Sequence, residues 1–189
     1  SKWSHNNKNG FHIENVELMR EALKLFPNDA LLLVQLSTSL EKNDGTPEEK
    51  EKYLREAIES ILNQTFTNFE LLILDDCPDD DREEIVKSYK DKRIKYSKNG
   101  QNLGIAPSRN KLIDMASGEY LAVFDHDDIS LPDRLEKQVA YLDEHSDVGV
   151  VSCKVKTMIR GKTSRNPSNN HDIKLALMRV CSINHSSAM

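Results

Sequence analysis

The sequence has few of the features that mark disulfide-rich, membrane-spanning or nucleic-acid-binding proteins. Its 189 residues include three cysteines, Cys77, Cys153 and Cys181, which are widely spaced and form no Cys-x-x-Cys pair. This spacing indicates neither a disulfide framework nor a zinc site, and it fits a reducing, cytoplasmic compartment best. No apolar run approaches the roughly 20 residues of a membrane span, and the polar N-terminal residues lack a signal-peptide core. The net charge of −5 argues against a general affinity for nucleic acid.

The remaining composition is typical of a folded protein with a modest core. Hydrophobic residues make up 38% of the sequence and charged residues 30%. A chain of this length has room for one medium domain, or for a small helical module joined to part of a larger domain. Because the residue pattern changes near Thr46, we divide the chain into a helical extension, residues 1–45, and a second domain, residues 46–189.

The first part has the apolar spacing of paired helices. Apolar residues recur at helical spacing between residues 13 and 25, and residues 27–29 then interrupt the pattern and offer an N-cap for a second helix. That second helix would present four leucines on one face: Leu32, Leu33, Leu36 and Leu40. Thr46 and Pro47 then begin a third helix, which is predicted to reach Leu62.

Residues 22–59 resemble a tetratricopeptide-type helical hairpin, over little more than one repeat. A single repeat cannot bury its own apolar face and needs a neighbour. The resemblance therefore implies either a surface for a protein partner or a helical extension packed on the following domain.

After Asn63 the pattern changes to alternating strands and helices. Short apolar runs separated by helical patterns are typical of buried parallel strands in an α/β protein. The predicted strands are Phe69–Leu74, Ile94–Tyr96, Tyr120–Phe124 and Val148–Cys153. The predicted helices are Arg82–Tyr89, Pro107–Met115, Asp133–Leu142 and Asp172–Val180.

Two acidic clusters follow two of these strands. Asp75 and Asp76 come after the first strand, and Asp125-His126-Asp127-Asp128 follows the third. Because ligands of parallel sheets bind beyond the carboxyl ends of the strands, both clusters are expected to face the same side. Carboxylates packed so closely repel one another, and a divalent cation or a cationic ligand between them relieves the repulsion. A solvated acidic turn that caps the next helix is the other interpretation.

Three ordered motifs in this second part carry a family resemblance. They read YLREAIESILNQTFTNFELLILDDCPDDD, NLGIAPSRNKLIDMASGEYLAVFDHDD and SLPDRLEKQVAYLDEHSDVGVVSC, and they cover residues 53–153. This stretch resembles the nucleotide-sugar-binding half of a family 2 inverting glycosyltransferase. The resemblance implies a Rossmann-like, doubly wound, mostly parallel sheet of the glycosyltransferase A type. It also implies a nucleoside-diphosphate sugar as donor, Mg²⁺ or Mn²⁺ as cofactor, and a glycan or lipid-linked acceptor, as in polysaccharide biosynthesis.

The resemblance assigns roles to five residues. Asp75 and Asp76 match strand-end carboxylates that contact the base and the ribose, and Arg109 matches a basic residue near the nucleotide. Asp125 and Asp127 match the Asp-x-Asp motif that holds the nucleotide sugar and the metal, with Asp127 as the first choice for direct metal contact. The chemistry agrees, since a divalent ion on carboxylates stabilises the charge that a departing diphosphate gains, and hard oxygen ligands select Mg²⁺ or Mn²⁺. His126 is expected to point away from these carboxylates, and His185 is interpreted as an ordinary loop histidine.

The sequence also departs from the family pattern. The family's first strand directly precedes the helix at Tyr53–Leu62, but residues 44–52 have no strand character. The segment Leu31–Leu36 has the composition to supply this strand, yet its spacing and flanks favour a helix, so the sheet is expected to lack its first strand. The chain stops before the acidic motif where the family places its general base, and no catalytic base is assigned.

Two other functions remain open from the residues alone. One is a helical-repeat interaction module whose transferase-like part is an inactive scaffold. The other is an aspartyl-phosphate phosphatase, because Asp125-x-Asp127-x-Ile129 is close to the nucleophile motif of that class, although Ile129 stands where Thr or Val is usual.

Overall fold

The computed structural model describes the backbone of residues 30–36 and all of residues 46–77, 82–157, 161–164, 166–177 and 183–189, apart from the side chains of Leu175 and Leu177. The helix predicted between residues 13 and 25 lies outside these residues. So does the end of the second predicted helix, beyond Leu36.

A four-stranded parallel sheet forms the centre of the described structure. The strands are β1 (Ala30–Leu36), β2 (Phe69–Asp75), β3 (Ile94–Lys98) and β4 (Tyr120–Asp125). Their order is β3-β2-β1-β4, and every neighbouring pair runs parallel. The predicted parallel α/β architecture is therefore confirmed.

Strand β1 corrects two predictions. Residues 30–36 are not a helix, and the sheet does not lack a strand before the Tyr53–Leu62 helix, because β1 pairs with β2 on one side and β4 on the other. A central parallel strand has no polar face, so its sequence is a continuous apolar run. Such a run also fits one face of a helix, and periodicity over seven residues cannot separate the two. Pairing with two distant strands decides the conformation, and the tetratricopeptide-like hairpin has no support in the described residues.

Helices flank the sheet, and most begin or end within a few residues of their predicted limits. They are α1 (Pro47–Leu62), α2 (Arg82–Ser88), α3 (Ile105–Met115), α4 (Arg134–Glu144) and α5 (Asn170–Leu177), and a 3₁₀ turn covers His185–Ser187. A capping box starts α1 as predicted: the Thr46 hydroxyl accepts a hydrogen bond from the Glu49 amide, and the Glu49 carboxylate accepts one from the Thr46 amide.

The core has two parts because β2 buries side chains on both faces of the sheet. Leu71 and Ile73 join a large cluster with the apolar face of α1, whereas Leu72 and Leu74 join a smaller cluster with Leu112 of α3. Each of these five side chains is fully buried, and burying one such side chain contributes roughly 1.5–3 kcal/mol. Helices packed on both faces confirm the doubly wound arrangement.

The end of the chain packs beside β4. The Val123 amide donates a hydrogen bond to the Ala188 carbonyl at 2.9 Å, and Val151 and Met189 exchange two backbone hydrogen bonds of 2.8 Å. The predicted strand at Val148–Cys153 is therefore wrong, since only Ser152 forms a bridge, to Ala188. Apolar residues indicate burial and not backbone pairing, and this segment is partly buried without forming a ladder among the described residues. No helix among the described residues is long and apolar enough to cross a membrane.

Candidate functional site

The carboxyl ends of the parallel strands bring the two acidic clusters to one edge of the sheet. In the pairing register, Leu36 of β1 stands beside Asp75, and Gln35 stands beside Asp125. Only β1 separates the two aspartates, so their backbones lie about 10 Å apart, two strand spacings. The sequence placed both residues at strand ends, and parallel pairing places both ends on the same side.

Asp75 and Asp76 are both buried, and the chain itself supplies hydrogen-bond donors to them. The Cys77 amide donates to Asp75 Oδ1 at 2.8 Å, and the Tyr96 hydroxyl donates to Oδ2 at 3.0 Å. Asp76 Oδ1 accepts from the Leu103 amide at 2.9 Å, and Oδ2 accepts from the Gly104 amide at 2.8 Å. Both carboxylates therefore hold neighbouring backbone in place, whatever they do for a ligand.

Asp76 also organises the start of α3, the helix that carries Arg109. Asn99 donates from Nδ2 to Asp76 Oδ1 at 2.8 Å and to the Ser108 hydroxyl at 3.1 Å, which links the carboxylate to the first turns of the helix. Burial alone would raise the pKa of Asp76, but the hydrogen bonds from Leu103, Asn99 and Gly104 outweigh it, so the pKa is lowered. Asp76 is thus a stable anion at neutral pH.

Gly104 permits the sharp entry into α3. It is the N-cap residue, and its φ of 83° lies in the left-handed region that only glycine adopts without strain. Directly before the helix, two successive amides, those of Leu103 and Gly104, donate to one carboxylate, that of Asp76.

Arg109 joins three elements at the same edge. Its Nη2 lies 3.5 Å from Asp125 Oδ1 at the end of β4, and its Nη1 contacts Nε2 of His185 in the 3₁₀ turn. Burial lowers the pKa of Arg109 and Asp125 opposes this, and the guanidinium remains a cation at neutral pH. The pKa of Asp125 is raised, first by burial and then by Asp128 and Asp127, against the opposing effect of Arg109.

His185 lies next to Arg109 in the candidate site, and the sequence pattern does not reveal this position. The interpretation as an ordinary loop histidine is wrong, because its side chain is partly buried and contacts Arg109, from which it is 76 positions distant in the chain. Burial and the Arg109 charge lower the pKa of His185 to about 4, so the imidazole is neutral at pH 7 and Nε2 can accept a hydrogen bond from the guanidinium. No local sequence signal marks a contact over that distance.

The Asp-x-Asp turn lies next to this cluster. The backbone turns over directly after β4, with the Asp128 amide donating to the Asp125 carbonyl at 3.2 Å. Asp127 is exposed, 39% of the Asp125 side-chain surface is accessible, and His126 is buried. Among the described residues, no group of three or more His, Cys, Asp or Glu side chains could hold a metal ion. Mg²⁺ commonly takes only one or two carboxylates and completes its shell with water and substrate phosphates, so the Asp125 and Asp127 oxygens suit such an ion.

Sequence comparison identifies relatives over most of this region. The family described as Glycosyl transferase family 2 matches residues 47–187. An uncharacterized glycosyltransferase of Methanocaldococcus jannaschii is 50% identical over 110 residues, which cover 57% of this chain and 38% of the relative. An uncharacterized glycosyltransferase of Haemophilus influenzae is 35% identical over 147 residues, 68% of this chain and 44% of the relative. The chain therefore spans less than half the length of these relatives.

Solved structures share the fold. TarS of S. aureus superposes with a TM-score of 0.56 at 26% identity, over 73% of this chain and 23% of its own. The mannosyltransferase PcManGT from Pyrobaculum calidifontis, solved with GDP-Man and Mn²⁺, superposes with a TM-score of 0.55 at 19% identity, over 76% of this chain and 43% of its own. The second likeness concerns the fold alone. These matches confirm the glycosyltransferase-like fold and give no support to the interaction-module or phosphatase interpretations.

Proposed function

The chain belongs to glycosyl transferase family 2, and on that premise we propose that it binds a nucleoside-diphosphate sugar at the carboxyl edge of its sheet and takes part in transferring the sugar to a glycan or lipid-linked acceptor. The observation that carries the proposal is the cluster of Arg109, Asp125 and His185 beside the Asp-x-Asp turn. A partly buried cation next to accessible carboxylates is what a metal-bound diphosphate requires.

The base and ribose belong, in this proposal, at the end of β2 and the start of α3. Asp75 and Asp76 lie there, and Asp76 holds the backbone of Leu103 and Gly104. Leu103 is 41% exposed, so it offers an apolar surface to a planar base. Direct contact of either carboxylate with the base or the ribose stays a prediction.

The diphosphate belongs near Arg109. Hydrogen bonds from a guanidinium to phosphate are charge-assisted and can be bidentate, so they fix the orientation of the donor as well as its affinity. Because Arg109 is held by Asp125 before a ligand arrives, little side-chain freedom is lost on binding. The same cation stabilises negative charge as the sugar–phosphate bond breaks.

Asp127 and Asp125 are the proposed ligands of Mg²⁺ or Mn²⁺. A divalent ion there would supply neutralisation of the diphosphate charge. Asp127 is exposed to solvent, whereas Asp125 is shared with Arg109. Asp127 is therefore the direct ligand in this proposal, and Asp125 links the metal side of the site to Arg109. The complex of PcManGT with GDP-Man contains Mn²⁺, which supports this cofactor class.

The acceptor and compartment are also proposals. The family resemblance supports a glycan or lipid-linked acceptor in cell-surface polysaccharide synthesis, with the nucleotide sugar used on the cytoplasmic side. The activity of the whole protein is proposed with them, because the chain spans less than half of its relatives. We assign no general base within the described residues.

Calorimetric titration with UDP, GDP and their sugars, with and without Mn²⁺, tests the proposal. We expect one nucleotide family to bind, and only with the metal. Asp127→Ala is expected to weaken metal-dependent binding at least about tenfold and to leave the melting temperature unchanged, because an exposed carboxylate contributes little to folding.

Asp147→Ala is the matched control. Asp147 is an exposed aspartate in the turn after α4, and that helix of 11 residues leads about 16 Å away from the carboxyl edge. Unchanged metal-dependent binding by Asp127→Ala would remove the metal role. Failure of the wild-type chain to bind any of these compounds would refute the proposed function.

A further inference from the structure

We infer that His185 is a positioning residue for the nucleotide diphosphate: its Nε2 accepts a hydrogen bond from Arg109 and holds the guanidinium against Asp125. This inference rests on the proposed function and deepens it. It assigns a role in donor binding to His185, which lies outside the three family motifs in residues 53–153.

The turn that carries His185 is anchored on both sides. Before it, Asn184 donates from Nδ2 to the Cys153 carbonyl at 2.7 Å. After it, the Ser187 carbonyl accepts from Gln138 Nε2 at 2.8 Å, and Ala188 pairs with β4 through the Val123 amide at 2.9 Å. Because hydrogen bonds hold the backbone on both sides of His185, its side chain has a defined position, as a positioning residue requires.

The guanidinium uses two of its nitrogens on two different partners. Nη2 faces the carboxylate of Asp125, and Nη1 faces the imidazole of His185. Both contacts together fix the plane of the guanidinium. Nε of Arg109 is buried and makes no hydrogen bond within the described residues. If the imidazole were replaced by an apolar group, a second donor would lose its acceptor, and the guanidinium would turn to recover one.

Chemistry favours a neutral acceptor over a second carboxylate at this position. A carboxylate there would offset the charge that Arg109 presents to phosphate, since Asp125 already balances part of it. A neutral imidazole orients the guanidinium and leaves its charge available. His185 therefore contributes direction, and Arg109 contributes charge.

Two substitutions separate this role from simple space filling. His185→Gln keeps an acceptor oxygen near the position of Nε2, whereas His185→Leu keeps bulk and removes the acceptor. His145→Leu is the matched control, because His145 stacks on Tyr141 with 4.1 Å between ring centroids at the far end of α4. All three variants are compared with the wild-type chain by calorimetry with UDP and GDP in the presence of Mn²⁺, and by thermal unfolding.

We expect His185→Leu to weaken binding of the preferred nucleotide about tenfold, and His185→Gln and His145→Leu to stay within about twofold of the wild-type chain. In the Arg109→Lys background, His185→Leu is expected to cause no further loss of nucleotide affinity, because lysine has no planar guanidinium that His185 could orient. Wild-type affinity in His185→Leu, or equal losses in the Leu and Gln variants, would overturn the inference and leave the proposed function intact. Absence of nucleotide binding by the wild-type chain would overturn both.

Discussion

Replacing Asp76 by asparagine tests the structural logic of the site independently of any ligand. The substitution conserves the size of the side chain but exchanges one acceptor oxygen for an NH₂ group that can only donate. In the structure both oxygens of Asp76 accept from backbone amides, those of Leu103 and Gly104. In either orientation of the new amide, its NH₂ group faces a backbone N–H group, and two donors cannot form a hydrogen bond.

The magnitude follows from these contacts. A hydrogen bond to a charged group contributes about 1.5–3 kcal/mol, and leaving a buried donor unsatisfied costs about 1–3 kcal/mol. One backbone hydrogen bond to Asp76 is lost. The hydrogen bonds that remain then have a neutral amide oxygen as acceptor instead of a carboxylate, and the bond from Asn99 is among those weakened. Because Asp76 lies at the edge of the sheet and not in its apolar core, we expect the lower end of the sum, a loss of about 2–3 kcal/mol.

Urea unfolding followed by circular dichroism measures this loss. The midpoint should fall with an unchanged slope, because the substitution alters stability and not the surface exposed on unfolding. The pKa of Asp76 is lowered in the folded state, so its contribution is present above the unfolded pKa of about 3.9 and is lost as pH falls through the folded value. The difference between Asp76→Asn and the wild-type chain should therefore shrink below about pH 4.

Asp147→Asn is the matched control, since the same chemical change at an exposed turn residue should alter stability by less than about 0.5 kcal/mol. If Asp76→Asn is as stable as this control at pH 7, the hydrogen bonds from Leu103 and Gly104 do not contribute as argued. The role of Asp76 in ordering the start of α3 would then have to be abandoned.

Two further predictions concern stability. The pKa of His185 is about 4 in the folded chain and about 6.5 when unfolded, so the unfolded chain binds the proton first. Because solvent screens this partly exposed ring, stability should fall by about 1–2 kcal/mol as pH drops from 6.5 toward 4. Urea midpoints across this pH range should show the fall in the wild-type chain and not in His185→Gln, and parallel pH profiles would contradict the assignment. Thr46→Ala should cost about 1 kcal/mol because it removes the capping box with Glu49. The same substitution at Thr67, an exposed loop threonine, serves as the reference, and equal effects of the two changes would count against the cap.

Local signals in the sequence were sufficient for much of the fold. The capping residues Thr46 and Pro47 gave the start of α1 correctly, and the apolar runs at β2 and β4 gave two parallel strands with acidic ends. These features depend on residues within a few positions of one another, so a single sequence contains them. The motifs between residues 53 and 153 likewise carried the family, which residues 47–187 match.

Pairing over long distances had to come from the tertiary structure. The run Ala30–Leu36 fits a strand or a helix, and it is a strand because β2 and β4 hydrogen-bond to its two sides. The opposite error concerns Val148–Cys153, whose apolar character suggests a strand but which forms only an isolated bridge, from Ser152 to Ala188, among the described residues. Strand formation depends on the neighbour as much as on the residues themselves.

The same distinction holds for the site. The sequence alone determined which residue types stand at the strand ends: carboxylates at Asp75 and Asp125, with Arg109 on the helix between them in chain order. Only the tertiary structure decided that Arg109 lies between Asp125 and His185, because the register of parallel strands and the return of the chain beside β4 bring these residues together. Residue chemistry is local, whereas contact between distant residues is a property of the folded chain.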